Sequence, residues 1–191
     1  PQHERVRELL RSGELGTPRV FFGYFGFPPF PKSSFRYDEK VGGGSLYETG
    51  SYPVVMARYL FNEEPISVTC TREYRADATA DVMGSALLEF KGKVAHASWG
   101  FDHSYQNTYS LWGSKGLVRL NRAYSIPADL APPIELVQNI AFKDVVTSIN
   151  VPAANQFALT FEDFFRTIVT NNSQERQARY ASMLAQSRVL E

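Results

Sequence analysis

The chain has 191 residues, of which 43% are hydrophobic and 14% aromatic, so it can bury the core of one folded domain. Its 20 basic and 20 acidic residues balance, which excludes a whole-molecule field favouring nucleic acid or an anionic membrane. No apolar run approaches the roughly 18 residues of a membrane helix. The single cysteine, Cys70, excludes an internal disulfide and fits a reducing, cytoplasmic compartment.

The first part of the chain predicts a short helix, a strand and a loop. Val6 and Leu9 recur at helical spacing, and the glycines that follow end the helix. The segment RVFFGYFG, residues 19–26, has the aromatic composition of a strand and stops at the prolines of FPPFP. Residues 27–44 then predict a loop that ends in three glycines.

The middle of the chain predicts a second helix and then a run of neighbouring strands. The helix covers about residues 45–60. The successive strands lie in ISVTCTREYRA, MGSALLEFKGKVAHASWGF and SYQNTYSLWG, with FKGK as a tight turn between two of them. WGSKG is a second turn that leads into LVRLN, and IELVQ and DVVTSI are weaker strand candidates. Strands joined by short turns pair antiparallel, because parallel pairing needs a long crossover. Cys70 lies in the first of these strands, and we expect it to be a buried, inert thiol.

The chain ends with two predicted helices, the second capped by Ser173. The first carries an apolar series at helical spacing, which we expect to form one buried face: Phe157, Phe161, Phe164, Phe165 and Ile168. The element order predicts an α+β domain with one large, mostly antiparallel open sheet and helices gathered on one face. The other sheet face then needs a partner.

The most unusual segment is GGGSLYETGSYPVV, residues 42–55. It cannot be a nucleotide-phosphate loop, because no Lys-Ser/Thr pair follows the glycines and no Gly-x-Gly-x-x-Gly pattern is present. In a helix beginning near Ser45, Glu48 and Tyr52 are four residues apart and share a face. Ser45 and Glu48 also fit a capping box, which would give Glu48 a purely structural role. Pro53 lacks an N–H and predicts a kink, so the segment suits the wall of a binding site.

Two other classes of site find no support in the sequence. The histidines show no metal-ligand spacing with Cys70, so no metal site is predicted. There is no Gly-x-Ser-x-Gly elbow and no coherent Ser-His-Asp set, which argues against a hydrolase.

The segment GGGSLYETGSYPVVMARYLF resembles the signature of the glucose–fructose oxidoreductase / inositol dehydrogenase (Gfo/Idh/MocA) family, at the head of its C-terminal domain. The segments PQHERVRELLRSGELGTPRVFF and LWGSKGLVRLN are also similar to that domain, as are FEDFFRTI and RYASMLAQSRVLE near the end. The resemblance covers nearly the whole chain. It implies that the chain has the fold of a glyceraldehyde-3-phosphate dehydrogenase-like C-terminal domain and that the family's Rossmann domain is absent from these 191 residues.

The family resemblance implies a two-domain oxidoreductase of which residues 1–191 are the C-terminal substrate-binding and oligomerisation domain. NAD or NADP would be held mainly by the missing N-terminal Rossmann domain, whose Glu-Lys-Pro motif this chain lacks. The reaction would move a hydride between the nicotinamide and a sugar- or cyclitol-like alcohol or ketone. The fragment alone would be inactive, and members pair their sheet faces into homodimers or homotetramers.

The resemblance also implies roles for four residues. Tyr52 falls at the family's His/Tyr position, which delivers or removes the hydroxyl proton, and is the expected catalytic residue. Glu48 stands where the family has an aspartate that binds substrate hydroxyls, Arg36 matches an arginine before the glycines, and Tyr24 is a weaker candidate for the same cleft. Coenzyme-binding residues remain unassigned. The Glu-for-Asp difference favours an alternative, a non-catalytic binding and assembly module of the same fold.

Overall fold

The computed structural model describes residues 1–191, which form four helices and one eight-stranded sheet. Helix α1 (Gln2–Arg11) precedes strand β1 (Pro18–Gly26), and a loop with two short 3₁₀ turns leads to helix α2 (Ser51–Phe61). None of the helices is both long and apolar enough to cross a membrane.

The remaining strands follow one another closely along the chain. They are β2 (Ser67–Tyr74), β3 (Asp81–Phe90), β4 (Lys93–Gly100), β5 (Gln106–Gly113), β6 (Leu117–Leu120), β7 (Ile134–Ile140) and β8 (Lys143–Ile149). Helices α3 (Gln156–Thr170) and α4 (Ser173–Leu190) complete the chain. The cap of α4 is Asn172, whose side chain accepts from the Glu175 N–H, so the cap predicted at Ser173 is wrong by one residue.

The sheet is open, with strand order β2-β3-β4-β1-β5-β6-β7-β8. Every neighbouring pair is antiparallel except β1 and β4, which run parallel with Phe22 opposite His96. The first strand can lie parallel to β4 because α2 and two further strands separate them in sequence, which supplies the long crossover. The predicted fold class, a mostly antiparallel open sheet in an α+β domain, is therefore confirmed.

The core lies between the sheet and the helices α1 and α2. Phe21 of β1, Leu111 of β5 and Leu88 of β3 are fully buried beneath Val6 of α1 and Ala57 of α2. Alternate strand residues point to the opposite face, because successive side chains of a strand lie on opposite sides of the sheet. That second face is not covered by any element of the chain.

Two expectations about burial are wrong. Cys70 is exposed, because β2 is an edge strand whose residues are all exposed. The apolar face of α3 is also exposed: Phe157 is 69% exposed and Phe161 is 61% exposed. The helical period was predicted correctly, but no part of the chain covers the stripe that it creates.

Candidate functional site

The Gly-rich segment enters α2 through a π-helical turn, Leu46–Gly50. The Ser51 N–H donates to the Leu46 carbonyl five residues back, as a π-helical turn requires. Such turns are rare and are frequently found at functional sites. Pro53 in the next turn has no N–H to donate, and the sequence therefore predicts a kink here. The irregular backbone of the π-helical turn lies directly before this proline.

The start of this helical segment is capped by a residue from the sheet and not by Ser45. The Asp81 carboxylate accepts from the Ser45 hydroxyl at 2.5 Å and from the Leu46 N–H at 2.9 Å. Both contacts are buried, and Ser45 makes no cap bond of its own. The capping-box alternative for Glu48 is therefore wrong, and its carboxylate is left for other partners.

The three glycines join the preceding loop to the helix start. The Gly43 and Gly44 N–H groups donate to the Asp38 and Arg36 carbonyls at 2.9 and 3.0 Å, so neither is free to hold a phosphate. A Cβ on Gly43 would lie 2.5–2.7 Å from three backbone carbonyl oxygens of residues 35–38. Only glycine allows this approach, which brings the loop carrying Arg36 against the turn carrying Glu48.

Arg36 and Glu48 form an ion pair, with Arg36 Nε 2.5 Å from Glu48 Oε1. The Arg36 guanidinium also lies over the rings of Phe30 and Phe35, at 4.4 and 4.8 Å. Both charged side chains are about 30% exposed, so the remaining guanidinium N–H groups and carboxylate oxygen can reach a ligand. The pair therefore provides hydrogen-bond donors and acceptors that can bind the hydroxyl groups of a sugar.

Tyr52 lies in the first turn of α2, four residues beyond Glu48, and is 42% exposed. Its ring meets Phe25 edge-on at 4.9 Å and Tyr124 at 5.9 Å. One edge of the ring is therefore fixed by aromatic packing while the rest remains accessible. The phenol is held in place without being enclosed.

Tyr24 does not join these residues. Its neighbours Gly23 and Phe25 face α2: a Cβ on Gly23 would lie 2.6 Å from Pro53, and Phe25 contacts Tyr52. Strand alternation therefore puts Tyr24 on the opposite, uncovered face, where it is 41% exposed. Arg36, Glu48 and Tyr52 lie along one region, and Tyr24 lies apart.

A buried aromatic group lies behind Tyr52. Tyr124 packs against Tyr109, whose hydroxyl is 3.2 Å from Nδ1 of His3. Burial raises the pKa of Tyr109 and Tyr124 well above the ordinary tyrosine value, and burial lowers the pKa of His3 from 6.5 to about 4. These three groups are neutral near pH 7 and serve as packing, not as proton donors.

Sequence reasoning missed the residues that support the site. Asp81, Phe25 and Tyr124 come from three different strands or loops, and no local pattern marks a strand residue as the cap of a distant helix. The π-helical turn was also missed, although Gly50 and Pro53 together signalled an irregular backbone. The structure has no group of three or more His, Cys, Asp or Glu side chains placed to hold a metal ion.

With this fold and this arrangement of residues, the chain belongs to the Gfo/Idh/MocA family: the GFO/IDH/MocA C-terminal domain matches residues 3–119.

Curated relatives extend the similarity beyond that range. A dTDP-3,4-didehydro-2,6-dideoxy-alpha-D-glucose 3-reductase of Saccharopolyspora spinosa is 38% identical over 169 residues, which cover 87% of this chain and 49% of the relative. The enzyme of the same name from Actinomadura kijaniata is 32% identical over 171 residues, covering 89% of this chain and 50% of the relative. The chain thus spans about half the length of the curated relatives it matches.

Solved structures agree with this relationship. KijD10, a 3-ketoreductase from Actinomadura kijaniata crystallised with NADP and TDP-benzene, superposes with a TM-score of 0.88 at 29% identity, covering 100% of this chain and 57% of that one. An aldose-aldose oxidoreductase from Caulobacter crescentus superposes with a TM-score of 0.77 at 21% identity, covering 98% of this chain and 58% of that one, which shows a shared fold.

Proposed function

We propose that residues 1–191 are the substrate-binding and oligomerisation half of a cytoplasmic, NADP-dependent reductase that acts on a keto group of a nucleotide-linked deoxysugar. The observation that carries the proposal is the accessible Tyr52 phenol, held by aromatic packing one helical turn beyond the Arg36–Glu48 pair. The substrate class is supported by the relatives, because four of them carry the name of one dTDP-sugar 3-reductase.

The chain's own residues suit the sugar better than the coenzyme. The glycine N–H groups that could have held a pyrophosphate are bonded to carbonyls of residues 36 and 38, and Asp81 occupies the helix start. A nucleotide-binding domain preceding Pro1 would therefore hold NADPH, which supplies a hydride when bound. Residues 1–191 alone are expected to be inactive.

In the proposed reaction Tyr52 acts as the general acid. As the carbonyl carbon accepts a hydride, its oxygen gains negative charge, and the Tyr52 phenol donates its proton to that oxygen to give the alcohol. The free Oε2 of Glu48 accepts from a neighbouring sugar hydroxyl, and Arg36 donates to a sugar or phosphate oxygen. In the reverse direction Tyr52 accepts the hydroxyl proton.

NADPH consumption tests this proposal in the longer protein that includes the preceding domain. Turnover with a dTDP-linked keto sugar, much slower turnover with the free keto sugar, and a KM raised at least tenfold by Arg36→Ala are expected. Binding of NADPH without turnover of any keto sugar would contradict the proposal.

A second function, a non-catalytic binding and assembly module, is favoured by one observation. Glu48 is already paired with Arg36 at 2.5 Å, so both side chains could serve only to join the loop to the helix. In that case Arg36→Ala lowers stability and changes no substrate constant.

The uncovered sheet face is the proposed surface for assembly with a second copy. It carries Tyr24, the stacked pair Phe22 and His96 at 4.8 Å, and Trp112, which is 57% exposed. A half-apolar sheet face of this kind is typical of a covered surface. Light scattering coupled to gel filtration should give a dimer or tetramer, which Trp112→Glu dissociates; a monomer at all concentrations would contradict this part of the proposal.

A further inference from the structure

The α3–α4 pair carries a second uncovered apolar surface, separate from the sheet face. On α3 the exposed stripe consists of Phe157, Phe161, Phe164, Phe165 and Ile168. On α4 it continues with Tyr180, Met183 and Leu184 at spacings of three and four residues. Between the helices a groove of about 540 Å³ is lined by Phe164, Ile168, Tyr180 and Met183. We refer to these eight residues and the groove as the α3–α4 face.

The size of this face marks it as an interface. A phenylalanine side chain can bury roughly 150–250 Å², and the four on α3 are 57–69% exposed, so they alone present roughly 500 Å². The four remaining residues, 53–66% exposed, raise the total to roughly 900 Å². The largest apolar patch of a typical monomer is about 300–600 Å², whereas one side of a standard protein interface is about 800 Å².

Polar contacts hold the helix pair together and rim one side of the face. Arg166 and Arg179 each bridge Asp163 of α3 and Glu175 of α4, at 2.6–2.8 Å. Ion pairs join the two helices, and the apolar side chains of the α3–α4 face remain exposed. An apolar centre with a charged rim is the usual anatomy of a protein–protein interface.

The position of the chain's first residues identifies the occupant. Pro1, Gln2 and His3 line one cavity together with Gln156 and Leu159 of α3. A domain that precedes Pro1 therefore emerges beside the first turn of α3, where the exposed stripe begins with Phe157. A second copy of the chain has no such tether, and the sheet face offers it a separate surface.

The face is also coupled to the proposed site. Arg58 of α2 is 5% exposed and donates to Gln186 of α4 at 2.6 Å, while the Gln186 amide donates to the Ser51 carbonyl at 3.1 Å. These bonds fix α4 to the helix that carries Tyr52. A domain seated on α4 is thereby held at a fixed distance from the phenol.

We propose that the α3–α4 face is the docking surface for the nucleotide-binding domain preceding residue 1, and that it sets the position of that domain relative to Tyr52. The inference rests on the proposed function only in assuming that such a domain is present.

Hydrogen exchange by mass spectrometry tests this inference on residues 1–191 and on the longer protein. Amides of residues 156–170 should exchange at least tenfold more slowly in the longer protein. The double change Phe161→Glu and Phe165→Glu should remove that protection, while the matched control Phe142→Glu, at a fully exposed turn residue, should retain it. In residues 1–191 alone the double change should leave the thermal midpoint unchanged, because both side chains are already exposed.

Two results would overturn the inference. The first is equal exchange of residues 156–170 in both proteins. The second is a dimer of residues 1–191 that the double change converts to a monomer, which would assign the face to a second copy. NADPH consumption by the same longer protein separates the two proposals. Protection of residues 156–170 without turnover of a keto sugar contradicts the proposed reaction alone. Turnover without that protection contradicts this inference alone.

Discussion

Gly50→Ala should destabilise the protein because the indole of Trp99 fills the space that a methyl group would need. A Cβ on Gly50 would lie 2.6 Å from Cδ2, 2.9 Å from Cε2 and 3.0 Å from Cγ of Trp99. The ring cannot retreat, because Trp99 is 2% exposed and a Cβ on Gly84 would lie 2.5 Å from its Cζ2. The indole is thus held between two glycine backbones.

The magnitude follows from two opposing effects. Overpacking a filled site costs typically about 1–3 kcal/mol, and replacing a helical glycine by alanine returns up to about 1 kcal/mol. We therefore expect Gly50→Ala to lower the free energy of unfolding by about 1–2 kcal/mol. Because Glu48 and Tyr52 flank Gly50, the same change should displace both side chains.

Urea denaturation of a double-mutant cycle with Trp99→Leu isolates the clash. Leucine removes the rigid indole and can turn away from the new methyl group, so Gly50→Ala should cost at least about 1 kcal/mol less in the Trp99→Leu background. An equal cost in both backgrounds, or a stabilising Gly50→Ala, would refute the packing argument.

Three further predictions concern the support of the site. Asp81→Ala should cost about 2–3 kcal/mol in urea denaturation, since two buried hydrogen bonds to a carboxylate are lost, and Asp81→Asn should cost less because it keeps an acceptor oxygen. Tyr124→Phe should leave stability unchanged or raise it by about 1 kcal/mol, because the buried hydroxyl has no hydrogen-bond partner; a large loss would show that it has one. Burial lowers the pKa of His3 from 6.5 to about 4, so the unfolded chain binds more protons than the folded chain between these pH values. The free energy of unfolding should therefore reach its full value above pH 6.5 and fall as the pH is lowered toward 4. His3→Gln should remove this pH dependence.

The sequence predicted most of the fold because its signals were local. Alternating strands, tight turns and the periodic helices were all visible in short windows, and so was the glycine-rich entry to α2. The parallel placement of β1 beside β4 was not, because it depends on a pairing more than 70 residues apart along the chain.

The site was predicted in part for the same reason. Glu48 and Tyr52 share one helical segment, so their spacing brings them together. Tyr24 was placed in the same cleft, but strand alternation turns it to the other face, while Phe25 meets Tyr52. Asp81 could not be predicted, since its role as a helix cap exists only after β3 packs against the glycine-rich segment.

The α3 stripe shows the limit of periodicity arguments. The spacing of Phe157, Phe161 and Phe165 correctly predicted a helix with one apolar face. Periodicity reports that a face requires a partner but not where the partner lies, and no part of residues 1–191 covers this face.

The claim that Tyr52 moves the proton is tested most directly by comparing two tyrosines of the same segment in the longer protein. Tyr52→Phe should lower kcat for the keto sugar by about 10²–10⁴-fold without weakening NADPH binding, because only the proton donor is lost. Tyr47→Phe, at an exposed tyrosine of the π-helical turn that leads into α2, should leave kcat within about twofold. Equal kcat values for Tyr52→Phe and the unmodified protein would contradict the account.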